Sequence, residues 1–271
     1  MSKDTWIPDS LDLERPNVAR MYDYLLGGYH NFEADRLAAE RVVQVYPHIR
    51  QAAYVNRAFL RRAVHFLIEQ GIDQFLDIGS GLPTLGNVHE VAQGANPAAR
   101  VVYVDTDPVA VAHGKAMLVD NPNATAFQAD ARQPDQILNH AEVKKLLDLG
   151  QPLGLLLVAV LHLLPDDDQA YSTVRTLRDA LAPGSYIAIS HGTTEDAPPD
   201  LLEQLDQLSA SVSTPYQYRS YPQVQLFFDG LKLVEPGLVH SPLWRPEGPD
   251  DVLLDQPERS MIWGGVGRKT E

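Results

Sequence analysis

From residue 74 onward, short apolar runs alternate with longer helix-like stretches, and this alternation constrains the fold more than anything else in the chain. Gln74 to Ile78, Arg100 to Val104, Ala124 to Ala129, Leu153 to Val160 and Ser185 to Ser190 each read as a strand. Most are continuous in Val, Ile and Leu rather than alternating apolar with polar, which is how strands buried on both faces read. Such strands, separated by helices of ten or more residues, predict an α/β architecture with a doubly wound, mostly parallel sheet.

Before the sheet, Val18, Met21, Tyr22 and Leu25 recur at helical spacing behind Pro16, and Gly27-Gly28 supplies a stop. This predicts a helix over 16–26. Asn31 is placed to cap a second helix, from Phe32 to about Tyr46, and a third runs from about Ala52 to Gln70, closed by Gly71. After Asp196 the alternation fails. Helices near 200–209 and 222–229, a strand near 231–234 and a last strand over 260–266 predict an antiparallel edge hairpin. No composition break marks a linker, so 1–271 reads as one domain: a helical cap (1–70), a core (71–196) and a C-terminal part (197–271).

Composition sets limits on chemistry. With no Cys, disulfides, thiolate metal sites and cysteine nucleophiles are excluded, and nothing calls for an oxidising compartment. The longest apolar stretch, Leu153 to Leu164, has 12 residues and is broken by His162, too short to span a bilayer. A cytoplasmic protein with no membrane partner is expected. The net charge of −14, without a run of Lys or Arg, argues against a nucleic-acid partner.

Ligands of open parallel sheets bind beyond the carboxyl ends of the strands. The first strand end reads Asp77-Ile78-Gly79-Ser80-Gly81, a tight turn that lets a ligand approach the backbone. Thr84 stands where a nicotinamide fingerprint needs its third Gly, and no Gly-Lys-Ser/Thr loop exists. Asp77 would repel a pyrophosphate but suits a ligand carrying an amino group. Asp105 ends the second strand, 24 residues beyond Gly81, where a carboxylate can accept from ribose hydroxyls. Asp107, before Pro108, reads as a helix N-cap. Asp130, after the third strand, is placed to accept from an adenine amine. Asp166 to Asp168 open a helix rather than form a metal cluster, and the His spacing suggests no metal. His162 and His191 follow the fourth and fifth strands toward the same crevice. Each is either a structural histidine or a catalytic or substrate-contacting one.

The stretches FLDIGSGLP, VVYVDTDP, AFQADAR, LLLVAVLHLLPDD and LAPGSY make the chain resemble the class I S-adenosylmethionine-dependent methyltransferases, whose sheet is Rossmann-like. MYDYLLGGYHNFEAD, NRAFLRRAV, VEPGLV and WRPE are similar to a bacterial family of S-adenosyl methyltransferases. The resemblance runs from Arg15 to Lys269, with Pro83 where the superfamily pattern has Gly. It implies S-adenosylmethionine as cofactor: Asp77, Gly79, Ser80 and Gly81 at its amino-acid end, Asp105 at the ribose, Asp130 and Ala131 at the adenine. Thr106 and Val160 complete these expected contacts. A positively charged sulfur is drawn to aromatic faces, and methyl transfer benefits from water exclusion. Residues 16–32 are therefore expected to form a lid, with Tyr22 and Asn31 among its cofactor contacts. The expected activity is methyl transfer to a small molecule, with His162 or His191 free to take a proton. The rivals are a non-catalytic cofactor-binding or sensor module and, weakened by Thr84, a dehydrogenase.

Overall fold

The computed structural model describes residues 12–84, 86–209, 215–248 and 251–271. Three helices come first: α1 (Val18–Leu25), α2 (Glu33–Val45) and α3 (Ile49–Glu69). The core follows as β1 (Gln74–Ile78), α4 (Val88–Ala95), β2 (Arg100–Asp105), α5 (Pro108–Met117), β3 (Ala124–Gln128), α6 (Pro134–Asn139), α7 (Ala141–Leu146), β4 (Gly154–Val158), α8 (Asp167–Ala180) and β5 (Tyr186–Gly192). The C-terminal part holds α9 (Pro199–Ser209), α10 (Tyr221–Gln225), β6 (Lys232–Leu233), β7 (Val239–His240) and β8 (Ile262–Arg268).

The sheet order is β3-β2-β1-β4-β5-β8-β6, with β1 to β5 parallel and β8 antiparallel to β5. Strand order therefore reverses between β1 and β4, and the crevice opens there. The continuous apolar strands are sorted by the two-residue period of the pleat. Leu76, Ile78, Val102, Val104, Leu155 and Leu157 pack under α6, α7 and α8. Phe75, Val101, Tyr103, Leu156 and Val158 pack on the other face under α3 and α4. Asp77 is in step with Phe75, so it belongs to the α3 face.

Several details differ from the sequence expectation. The first helix is capped by Asn17, whose side chain accepts from Ala19 N–H, rather than beginning at Pro16. Asn31 does not cap α2. Asp35 accepts from Phe32 N–H there, while Asn31 Nδ2 donates to Asp23 and to the Gly28 carbonyl. The fourth strand ends at Val158, because Ala159 turns into the left-handed region with φ 57°. The C-terminal edge is not a simple hairpin: β6 and β7 are two pieces of a broken strand along the same β8, paired at Leu233–Gly267 and Val239–Gly264. The N-caps at Asp107, which accepts from Val109 N–H, and Asp166, which accepts from Gln169 N–H, stand where they are expected. No helix of the described residues is long and apolar enough to cross a membrane.

Candidate functional site

At the strand-order reversal lies a cavity of about 320 Å³, floored by the ends of β1, β2, β3 and β4 and covered by α1. Its floor is built by the glycine turn. Gly79 (φ +74°) and Ser80 both donate backbone N–H groups to the Val104 carbonyl, which folds the turn over the end of β2. A Cβ on Gly79 would lie 2.5 Å from Val160 Cγ2, so the position is closed to side chains by packing as well as by its positive φ. Gly81 (φ +68°) has open space on its Cβ side, toward the cavity that it lines.

The turn and the second strand end are one unit. Asp105 Oδ2 accepts from Gly81 N–H at 2.7 Å and Oδ1 from Asp107 N–H at 2.8 Å. Burial pushes its pKa up to about 6, opposed by the backbone N–H groups of Asp107 and Gly81. Burial likewise pushes Asp77 up to about 7, opposed by the Arg57 cation and reinforced by the Asp105 charge. Arg57, from α3, donates through Nη2 to the Gly86 carbonyl, but its Nε is buried without a hydrogen-bond partner. A cation with an unfilled donor thus stands beside a carboxylate that burial disfavours as an anion, both lining the cavity.

Thr106, Asp130, Ala131 and Val160 also border the cavity. Asp130 is not the free acceptor that its position suggested, since Arg132 Nε donates to both of its oxygens, at 3.0 and 2.8 Å. Burial acts to raise its pKa, but the hydrogen bonds and charge of Arg132 hold it below the usual carboxylate range. Tyr22 lines the cavity with its hydroxyl satisfied, donating to the Ala53 carbonyl and accepting from Asn56 Nδ2, each at 3.0 Å. Asn31 does not border the cavity and is consumed by its bonds to Asp23 and Gly28.

The two histidines part company. His162 borders the cavity, and its Nδ1 accepts from Gly192 N–H at 3.2 Å. The neutral ring therefore carries its proton on Nε2, which has no protein partner among the described residues. Burial, with the Arg219 cation behind, lowers its pKa to about 4. His191 does not reach the cavity. Its Nδ1–H donates to the Gly192 carbonyl at 2.7 Å and its Nε2 accepts from Arg219 Nη1 at 3.0 Å, so both ring nitrogens are occupied. Burial holds it neutral as well, well below the ordinary histidine value.

Sequence reading misses Arg57, Arg219 and the aromatic pair Tyr216 and Tyr218. Arg57 carries a signal, a cation beside the inner face of a helix whose neighbours Ala53, Asn56 and Leu60 are buried. Arg219 carries none: it is buried and gathers Asp167, the Leu161 and Leu164 carbonyls and His191 from three separate segments.

A family model described as S-adenosyl methyltransferase matches residues 4–270. The crystal structure of a candidate methyltransferase from Thermobifida fusca YX is similar, with 42% identity, TM-score 0.91, and 99% of this chain and 100% of that chain covered. A DUF574 family protein from Streptomyces avermitilis MA-4680 is similar at 37% identity and TM-score 0.90, over 95% of this chain and 99% of that one. Comparison with curated proteins gives no match.

Proposed function

The chain belongs to this S-adenosyl methyltransferase family, which makes its reaction methyl transfer from S-adenosylmethionine, and from that premise we propose that the acceptor is a small molecule and that the cavity holds both partners. The observation that carries the reading is the pairing of Arg57 and Asp77 beside the glycine turn. A half-buried cation with a buried, unpartnered Nε and a buried carboxylate raised by desolvation together suit a zwitterionic amino-acid group, whose carboxylate and ammonium would satisfy both.

Asp105, with its carboxylate oriented by Gly81 and Asp107, is proposed to accept from the ribose hydroxyls, with Gly79 and Ser80 giving close backbone approach. Ala131, Thr106 and Val160 would bound the adenine side and Asp130 would accept from its amine while keeping Arg132. Tyr22 presents its ring from α1 as part of the cover, and Asn31 supports that cover through Asp23 rather than touching cofactor. When bound, the cofactor supplies a methyl group on a sulfonium that leaves as a neutral thioether. The protein then has to position, and to exclude water, rather than stabilise a developing anion. His162 presents a held proton at Nε2, and His191 acts behind it as support.

The single-domain reading with residues 1–70 as a cap, of which 1–11 lie outside the described residues, belongs to this proposal, as does action in the cytoplasm of a bacterium, in keeping with the absence of cysteine. The acidic chain offers phosphates little, so a nucleic-acid acceptor is not favoured. Calorimetric titration with S-adenosylhomocysteine, followed by hydrogen exchange of the complex, tests the proposal. Binding with new protection at Gly79–Gly81, Asp105 and α1 is expected. Binding that leaves those segments unprotected would move the site elsewhere.

A further inference from the structure

We propose that the methyl acceptor is a neutral, flat aromatic molecule that attacks through a nitrogen lone pair. This rests on the reading of the cavity as the methyl-transfer site. The charged side chains that line the cavity are Arg57, Asp77, Asp105, Asp130 and Arg132, and all sit at the β1, β2 and β3 ends or on α3 facing them. The other lobe, between α1, α2, α9 and the segment 216–218, is lined by Met21, Leu25, Ile49, Leu205 and Tyr46 and has no charged lining residue among the described ones. A charged acceptor would lose its hydration there without gaining a counter-ion.

The polar groups this lobe offers are neutral. They include His162 Nε2–H and the hydroxyls of Tyr216 and Tyr218, while the Tyr46 hydroxyl donates to the Arg259 carbonyl and Ser209 Oγ accepts from Tyr216 N–H. Burial raises the pKa of Tyr216 and Tyr218, that of Tyr218 to about 12, with the exposed Asp206 reinforcing the latter. Behind His162, the Arg219 guanidinium does not line the cavity: it is paired with Asp167 at 2.8 Å and donates to the neutral His191 ring, and its charge helps to keep His162 neutral. The rings also set a shape. His162 and Tyr216 are 22° from parallel with centroids 5.4 Å apart, and Tyr216 and Tyr218 are 10° from parallel at 6.0 Å. The segment is fixed to the site by Gln217 N–H, which donates to the His162 carbonyl at 2.7 Å. A wall of nearly parallel rings beside aliphatic side chains suits a planar aromatic body.

The same groups decide the acceptor atom. His162 holds a proton where a base would need a lone pair, and neither tyrosine ionises near neutrality, so the lobe has no group to take a proton. A ring nitrogen needs none: its lone pair forms the new N–C bond, the S–C bond breaks with its electrons passing to sulfur, and the positive charge moves to the acceptor nitrogen.

The test uses the full chain loaded with S-adenosylhomocysteine. Quinoline, 1-naphthol, 1-naphthoate and 1-naphthylmethylammonium are titrated calorimetrically. The two neutral probes are expected to bind at least about tenfold more tightly than either ion. Equal or tighter binding of an ion, or no binding of quinoline to the loaded protein, overturns the proposal. Failure to bind S-adenosylhomocysteine at all would instead overturn the cofactor reading. With S-adenosylmethionine in its place, N-methylquinolinium is the expected product, and methylation of naphthol alone would overturn the nitrogen assignment. Independently of any acceptor, the 15N shifts of the His162 ring should report a neutral Nε2–H tautomer across neutral pH. An imidazolium would put a cation into the lobe and a bare Nε2 would restore a base to it, and either result overturns the proposal.

Discussion

Arg20 Nε of α1 lies 3.4 Å from Asp107 Oδ2, the cap of α5, with both side chains almost fully buried. Asp35 of α2 closes the triad at 3.6 Å. The helical cap is thus tied to the core through an ionic contact out of reach of water, and the same aspartate that starts α5 anchors α1. Removing one member leaves an uncompensated buried charge, so Arg20→Ala should cost about 3–5 kcal/mol. Urea unfolding measures this, and a loss within about 1 kcal/mol, the range of an exposed pair, would mean that the triad is open to solvent in solution.

Asp105 and Asp107 are two residues apart and should fail differently. Asp105→Ala removes an acceptor presented to the cavity and should weaken S-adenosylhomocysteine binding by about 10- to 100-fold, the worth of charged hydrogen bonds. Asp107→Ala removes a cap, about 1 kcal/mol, and also the partner of Arg20, so its loss should appear mainly in folding stability and exceed that of a cap alone. Calorimetry and urea melts on both variants decide between them. Equal losses of affinity would dissolve the distinction.

Asp77 gives a pH prediction with a definite sign. Its pKa in the folded protein, about 7, lies above the ordinary carboxylate value of 3.8, so the folded state binds the proton more tightly than the unfolded chain does. The stability that this contributes is complete below pH 3.8 and is lost as pH rises through about 7. Buried His162 has the opposite sense, its pKa near 4 removing stability as pH falls below 6.5. The difference between wild type and Asp77→Asn isolates the aspartate. The variant should be more stable above neutral pH by about 1–3 kcal/mol and yet bind S-adenosylhomocysteine poorly. A stability difference that does not change with pH would show that Asp77 titrates normally.

Gly79 is constrained twice, and the two constraints can be separated. Gly79→Ala meets Val160 Cγ2 at 2.5 Å and also places a side chain at φ +74°. It should lower stability by about 1–3 kcal/mol. Adding Val160→Gly, which removes both Cγ2 and the Val160 Cβ that would lie at 2.7 Å, should recover the steric share and leave the backbone share of about 1 kcal/mol. A double-mutant cycle in thermal or urea unfolding reads this, and strict additivity of the two changes would remove the contact from the account.

The fold was legible because its strongest signal is local. Runs such as Phe75 to Ile78 and Val101 to Val104 say by themselves that both faces of a strand are covered, and a parallel sheet follows. Asp105 and Asp107 could be read for the same reason: a strand end and a Pro-led helix start are fixed by neighbours in sequence. Asn31 misled because an amide just before a helix also suits other local partners: it bonds Asp23 and Gly28, and Asp35, from the first turn of α2, accepts the Phe32 N–H instead.

What the tertiary structure decided is which distant surfaces meet. Periodicity shows that α3 buries one face, but not that Arg57 on it comes to stand beside Asp77. It shows that histidines follow two adjacent strands, but not that Arg219, 28 residues beyond His191, occupies one of them and leaves the other facing the cavity. That β6 and β7 share one partner could not be read locally either, because β8 comes from the far end of the chain. Side-chain burial depends on local spacing, whereas the charge and proton state of a site depend on what the rest of the chain places against it. The sequence by itself determined the sheet and the turn; the neutral aromatic lobe and the held proton on His162 exist only once 216–219 packs across the strand ends.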